Sequence, residues 1–221
     1  MSARNPSRGR DLLEVVVGYG LILTVIWTPN PLQRVLYWTA FAAILVITLM
    51  RRESLKTMGL GVSGFMPSLW IVGAALLLAA FAVGLALRAH TLHSLFGQAP
   101  LVTHVWGYFV WALMQQFLLQ SYFLARFVRL TSRLWQAIAL ATLLFGLAHI
   151  PNPLLTVATL VWGGISCLLF LRYRNLYTLG IAHGILGICF ALTVPDHVHH
   201  HMRVGIGYLH YHQHGSHRPH P

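Results

Sequence analysis

The sequence has very little charge, and most of that charge is of one sign. Only 9% of its 221 residues are charged, with 15 Lys and Arg against four Asp and Glu. A soluble domain usually carries charge on about a quarter of its residues, so water is excluded as the solvent for most of this surface. The mean hydropathy of +0.66 and apolar runs of about 17 residues or more predict that the surface faces lipid.

Cysteine is scarce as well, since Cys167 and Cys189 are the only two and both fall within apolar runs. They are predicted to be small packing residues, which excludes a disulfide framework or a cysteine-based zinc site. The formal charge of +11 does not indicate a nucleic-acid partner, because the basic residues form no patch with interleaved aromatics. Retention of Lys and Arg on the cytoplasmic side of a membrane accounts for such an excess.

Seven apolar spans are predicted, each as an α-helix, because the bilayer core offers backbone polar groups no partner outside the segment. Pro29 and Pro31 separate the first two spans, and Pro151 and Pro153 separate the fifth from the sixth. The predicted fold is an all-α, polytopic membrane helical bundle of about seven transmembrane helices. The spans cover 12–28, 35–50, 67–87, 102–123, 134–149, 154–171 and 176–194.

The basic residues alternate from side to side, which predicts a multi-pass protein with a cytoplasmic N-terminus. The expected membrane is a prokaryotic inner or cell membrane. On the predicted cytoplasmic side lie Arg4, Arg8, Arg10, Arg51, Arg52, Lys56, Arg126, Arg129, Arg133, Arg172 and Arg174. On the opposite side lie Arg34, Arg88, Arg203 and Arg218.

Three parts are predicted along the chain. Residues 1–100 hold three N-terminal spans, 101–194 form a four-helix core, and 195–221 are a histidine-rich tail with nine of the 14 histidines. The composition from His210 on is of low complexity and predicts an extension without fixed structure. The earlier part of the tail, 196–208, is predicted to fold back over the mouth of the bundle.

Polar side chains within the predicted spans are the candidate site, because such residues usually face the bundle interior. Gln116 and Gln120 are four apart on the fourth span and share a helix face, with Gln115 one position round. His149 ends the fifth span and His183 lies in the seventh. Small residues flank His183 and would let another helix approach closely. We expect these five side chains to meet in one buried pocket.

The order of these residues resembles the CPBP family of intramembrane proteases, which includes type II CAAX prenyl proteases and bacteriocin self-immunity proteins. The family pattern is a Glu-Glu pair with an Arg after three intervening residues, then Phe-x-x-x-His, then His-x-x-x-Asn. The matching stretches here are QQFLLQ, FGLAH and HGILG, within 101–194. The resemblance implies peptide-bond hydrolysis in membrane-delivered or lipidated peptides.

The chain departs from that pattern at several catalytic positions. Gln115 and Gln116 stand in place of the glutamates, Gln120 in place of Arg, and Gly187 in place of Asn. In the family the first glutamate activates the attacking water, whereas a carboxamide has no basic lone pair near neutral pH. The four acidic residues, Asp11, Glu14, Glu53 and Asp196, offer no obvious substitute at mid-membrane depth.

Three functions therefore remain open. The first is an intramembrane endopeptidase in which His149 or His183 serves as the base, acting on a membrane-delivered peptide or lipidated protein. The second is a catalytically silent relative that binds a peptide, lipid or membrane partner. The third is a histidine–metal membrane enzyme, since neutral imidazole suits several transition metals. No cofactor or metal is implied by the resemblance, and membrane lipid is the expected surrounding partner.

Overall fold

The computed structural model describes residues 6–92 and 101–215, and its regular elements there are all helical. A π-helical segment, Phe117–Leu124, and a 3-10 turn, His200–Met202, supplement the α-helices. The α-helices are α1 (Pro6–Trp27), α2 (Leu32–Leu49), α3 (Phe65–Arg88), α4 (Leu101–Gln116), α5 (Ala125–Leu130), α6 (Leu134–Leu147), α7 (Pro153–Tyr173), α8 (Leu176–Thr193), α9 (Asp196–His199) and α10 (Gly205–Gly215).

Four helices among the described residues, α2, α3, α7 and α8, are long and apolar enough to cross a membrane, and α6 is apolar but shorter. Large apolar side chains such as Leu77 and Phe81 are exposed on α3, as expected where lipid is the solvent. The chain is thus an all-helical, multi-pass membrane protein, which confirms the predicted fold class. The count of seven spans remains a prediction, and Arg4 and Arg218 lie outside the described residues.

Proline and asparagine set the predicted helix breaks. The Pro29 and Pro31 break lies between α1 and α2, and the Pro151 and Pro153 break lies between α6 and α7. Pro153 is the first residue of α7, where its missing N–H costs nothing. The side chain of Asn152 caps this helix by accepting a hydrogen bond from the backbone N–H of Leu155 at 3.1 Å.

The fourth predicted span continues beyond its expected end at residue 123. α4 passes directly into the π-helical segment and then into α5, so helical structure extends to Leu130. Gln120 lies within the π-helical turns. Such segments are rare and often occur at functional sites.

The chain packs as two compact units, each built from segments that are distant in sequence. The first contains Met1–Arg52, Tyr122–Ile165 and Met202–Pro221, and the second contains Glu53–Ser121 and Ser166–His201. In the first unit α1 packs against α2, α5 and α10, and α5 packs against α6. In the second unit α8 packs against both α3 and α4.

The tail folds back within the first unit. The backbone N–H of Gly205 donates to the carbonyl of Ile150 at 3.0 Å, and the Asn152 carboxamide donates to the carbonyl of Arg203 at 3.2 Å. The helix α10 then extends past His210, so the prediction of an unstructured extension is wrong as far as Gly215. The three-part division of the chain, whose first boundary falls at residue 100 outside the described ranges, remains a prediction.

Candidate functional site

A neutral polar cluster lies inside the second unit. Gln116 and Gln120 are both fully buried, at 0% exposure. The Gln120 amide donates to Gln116 Oε1 at 3.2 Å and to Ser166 Oγ at 3.1 Å. The Gln116 amide lies 3.2 Å from Nδ1 of His183. Four side chains from the α4–π-helix segment, α7 and α8 therefore form one connected network, which we call the amide cluster (Gln116, Gln120, Ser166 and His183).

The hydrogen bond from Gln116 determines the protonation pattern of the His183 ring. The amide nitrogen of Gln116 faces Nδ1 of His183, and in this orientation Nδ1 accepts and the neutral ring carries its hydrogen on Nε2. In this tautomer neither ring nitrogen offers a lone pair that is free to take a proton from water. His183 is arranged as a hydrogen-bond donor through Nε2, a role that suits binding or charge stabilisation better than general-base catalysis.

The amide cluster contains one polar atom without a partner among the described residues. Gln120 Oε1 is buried and accepts no hydrogen bond there. Leaving such an acceptor unpaired costs about 1–3 kcal/mol. An incoming N–H or O–H group would recover that energy, so the cluster has the chemistry of a site for a hydrogen-bond donor.

Glycines on α8 let α4 approach closely, as the small residues around His183 predicted. A Cβ added at Gly180 would touch Leu113, and one at Gly184 would overlap Phe109. These contacts place the amide cluster at a tight helix–helix interface inside the second unit.

Gly187 stands where the resemblance predicts Asn. A Cβ built there would overlap the hydroxyl of Tyr108. An asparagine at 187 is therefore incompatible with the present position of the tyrosine ring. The Tyr108 side chain thus fills the space that a larger residue at 187 would need.

Gln115 does not share the position of its neighbour. Its side chain is half-buried, and it forms no hydrogen bond with another residue in the described part of the chain. Its predicted place in the pocket remains a prediction.

His149 belongs to the first unit and is 8% exposed. Its Nδ1 lies 2.7 Å from the carbonyl of Phe145, to which it donates, and the two rings stack edge to face with centroids 5.0 Å apart. Donation from Nδ1 leaves the lone pair on Nε2, so His149 has the tautomer opposite to that of His183. The expected convergence of His149 with the glutamines remains a prediction.

Sequence reasoning missed a buried charged cluster in the first unit. Glu14 accepts hydrogen bonds from Arg10 and Arg126, each at 2.9 Å. Asp11 pairs with Arg51 at 2.8 Å and with Arg129 at 3.0 Å. Two features of the sequence could have indicated this cluster. Asp11 and Glu14 are three positions apart on one helix, and arginines lie at three of the predicted cytoplasmic ends. Sequence reasoning also missed the part that Ser166, a polar residue in the sixth predicted span, plays in the amide cluster.

The third predicted function required a metal site. Among the described residues there is no group of three or more His, Cys, Asp or Glu side chains that could hold a metal ion. The residues of the amide cluster include a single imidazole, which does not suit a metal without further ligands.

Comparison with known proteins agrees with the order of motifs. Residues 97–189 match the family model described as Type II CAAX prenyl endopeptidase Rce1-like. This segment is therefore similar to the Rce1-like family. The Rce1-like segment covers less than half of the chain, yet it contains the amide cluster, His149 and Gly187. No curated protein and no solved structure significantly matches the chain.

Proposed function

We propose that this chain is an Rce1-like membrane protein that binds a membrane-delivered peptide without hydrolysing it. The observation that carries the proposal is the hydrogen bond between the Gln116 amide and Nδ1 of His183, 3.2 Å long. It uses the imidazole lone pair for a structural contact. The chain keeps the order of the family's motifs, while the group that would activate water is not available at this position.

The chemistry of the replaced residues supports the same conclusion. A carboxamide at 116 cannot take a proton from water near neutral pH. Loss of a positioned general base commonly lowers a rate by about 10²- to 10⁴-fold. In the second unit, the sequence contains only two acidic residues, Glu53 and Asp196, and neither lies within a predicted span.

A peptide backbone is the ligand that the amide cluster suits best. A peptide inside the hydrocarbon must find partners for its N–H and carbonyl groups, because lipid offers none. Gln120 Oε1 can accept an N–H, and the Nε2–H of His183 can donate to a carbonyl. A neutral site binds such a neutral ligand without leaving a charge buried and unpaired.

The decisive experiment measures binding and hydrolysis of the same prenylated peptide by the purified protein in lipid nanodiscs. The natural protein should bind the peptide and leave it intact. Gln120→Leu, which removes the acceptor, should weaken binding about 5- to 10-fold, as expected for one hydrogen bond. Gln115→Leu is the matched control, and an equal loss of binding in that variant would contradict the assignment.

A restored variant tests why hydrolysis is absent. Gln115→Glu, Gln116→Glu and Gln120→Arg together reinstate the charged pattern of the related proteases. Cleavage by this variant alone would support a silent scaffold. Cleavage by the natural protein at a comparable rate would overturn the proposal.

A second candidate function, intramembrane endopeptidase activity, is favoured by the tautomer of His149. Because Nδ1 donates to Phe145, Nε2 carries a lone pair suited to accept a proton from water. On this alternative His149→Ala abolishes cleavage of the prenylated peptide, with His183→Ala as the companion variant. Cleavage that persists in both variants would remove the two histidines from catalysis.

We also propose a cytoplasmic N-terminus in a seven-span arrangement within a prokaryotic inner membrane. The clustering of Arg10, Arg51, Arg126 and Arg129 around two carboxylates supports it, since these residues come from three predicted cytoplasmic segments. Single cysteines placed at Ser7 and at Thr28 should label from opposite faces of sealed vesicles. Labelling of both from the same face would contradict the arrangement.

A further inference from the structure

An open cavity of about 440 Å³ lies beside the start of α6 in the first unit. We call it the α6 cavity. It is not part of the amide cluster, and both polar and apolar residues line it. Its lining includes Arg8, Thr131, Ser132, Trp135, Gln136 and Leu140.

The polar part of the α6 cavity carries positive charge. The Arg8 guanidinium donates to the carbonyl of Leu130 at 2.9 Å, which holds the charge at the rim. The carboxylates of Asp11 and Glu14 are already paired with other arginines. A negatively charged group in the cavity would therefore meet Arg8 together with the side chains of Ser132 and Gln136.

The apolar part continues along the outer face of α6. Leu140, Leu143 and Leu147 follow Gln136 at helical spacing and form one apolar stripe. The three leucines are 38–46% exposed, and Trp135 is 61% exposed at the cavity end. The distance from Trp135 to Leu147 is about 18 Å at 1.5 Å per residue, close to half of a hydrocarbon core of about 30 Å.

We propose that the α6 cavity binds the headgroup of an anionic phospholipid, whose acyl chain lies along the α6 stripe. The charge of Arg8 selects the negative headgroup. The stripe matches the length of a chain in one leaflet, and tryptophan is typical of the membrane interface. This lipid site is independent of the peptide-binding proposal, because it uses different residues in the other compact unit.

The test titrates the full chain in neutral detergent with phosphatidylglycerol and with phosphatidylcholine of identical acyl chains, following the thermal unfolding midpoint. Phosphatidylglycerol should raise the midpoint at lower concentration than phosphatidylcholine. Arg8→Gln should weaken the apparent affinity for phosphatidylglycerol about fivefold, the effect of one basic residue near an anionic surface. Arg34→Gln removes an exposed arginine elsewhere in the same unit and should leave the affinity unchanged.

The Gln136→Glu variant distinguishes a loss of lipid binding from a loss of folding. A carboxylate in the first turn of α6 is favourable for the helix itself, so the variant should fold at least as well in neutral detergent. It should nevertheless bind phosphatidylglycerol more weakly than the natural protein does, because like charges then meet in the cavity. The proposal is overturned if the two lipids act equally, if Arg34→Gln weakens binding as much as Arg8→Gln, or if glycerol phosphate alone reproduces the whole effect.

Discussion

The two compact units solve the problem of buried polar groups in opposite ways. In the first unit, Glu14 and Asp11 keep their charges inside the protein and are surrounded by arginine side chains at 2.8–3.0 Å. In the second unit, Gln116, Gln120 and His183 form a neutral network with hydrogen bonds of 3.2 Å. A buried charge is tolerated where an opposite charge lies against it, and amides replace charge where the sequence offers no such partner.

This contrast bears on the glutamines that stand where the resemblance predicts charged residues. Two carboxylates beside one arginine depend on its positive charge, so replacing the arginine alone would leave both carboxylates unpaired. Glutamine at 116 and 120 gives a network that needs only hydrogen bonds. The predictions that follow test each side of the comparison.

Removing a charge from the cluster of Asp11, Glu14 and their arginines should lower the free energy of unfolding more than any other change. Glu14→Gln leaves the fully buried guanidinium of Arg126 without its carboxylate, and removal of one partner of a buried pair costs about 3–5 kcal/mol. The free energy of unfolding in detergent is the measurement, with Glu53→Gln as a control expected to lose less than about 1 kcal/mol. Equal losses in the two variants would show that the cluster is no more than a surface ion pair.

Breaking the amide cluster should cost less than breaking the charged cluster. Gln116→Leu removes one hydrogen-bond partner from Gln120 and one from His183, and an unsatisfied neutral group costs about 1–3 kcal/mol. The same unfolding measurement applies, and Gln115→Leu should be close to neutral because that side chain is only half-buried. A larger loss for Gln115→Leu would reverse the assignment of the two glutamines.

Filling the space beside α8 should lower the stability of the protein by no more than breaking the amide cluster does. Gly187→Ala places a methyl group against the Tyr108 hydroxyl, and overpacking of this kind costs about 1–3 kcal/mol. Combining it with Tyr108→Leu, which removes the ring, should recover part of the loss. Additive losses in the double variant would mean that the two residues do not compete for space.

The smallest expected change is an increase in stability. Gly73 lies within α3, and a Cβ added there meets no atom within 4 Å. Gly73→Ala should therefore stabilise the protein by up to about 1 kcal/mol through helix propensity. A loss of stability on the scale of Gly187→Ala would show that α3 packs more tightly at this position than the structure indicates.

The sequence predicted those parts of the molecule that depend on local periodicity. Prolines marked two helix breaks, the spacing of Gln116 and Gln120 placed them on one face, and small residues around His183 indicated close helix packing. Each of these inferences uses neighbours along one helix. The order of short motifs within 101–194 also pointed to the family whose model matches residues 97–189.

The parts that sequence reasoning missed depend on pairs far apart in the chain. Glu14 and Arg126 are separated by 112 positions, and Gln120 and Ser166 by 46. A charge near a predicted span end is equally consistent with a solvated position, so burial of Glu14 could not be inferred from its position alone. Whether His149 shares a pocket with the glutamines is a question of the same long-range kind.

The turn that follows His149 is held by contacts with the histidine-rich tail, so truncating the tail affects this turn. The carbonyl of Ile150 and the carboxamide of Asn152 bind backbone groups of Gly205 and Arg203. Cutting the chain before Met202 removes both partners at once, next to a histidine that one candidate mechanism requires. Trimming the histidine-rich end for crystallisation would therefore loosen an interior turn, and a substitution series offers a cleaner way to examine that end than deletion.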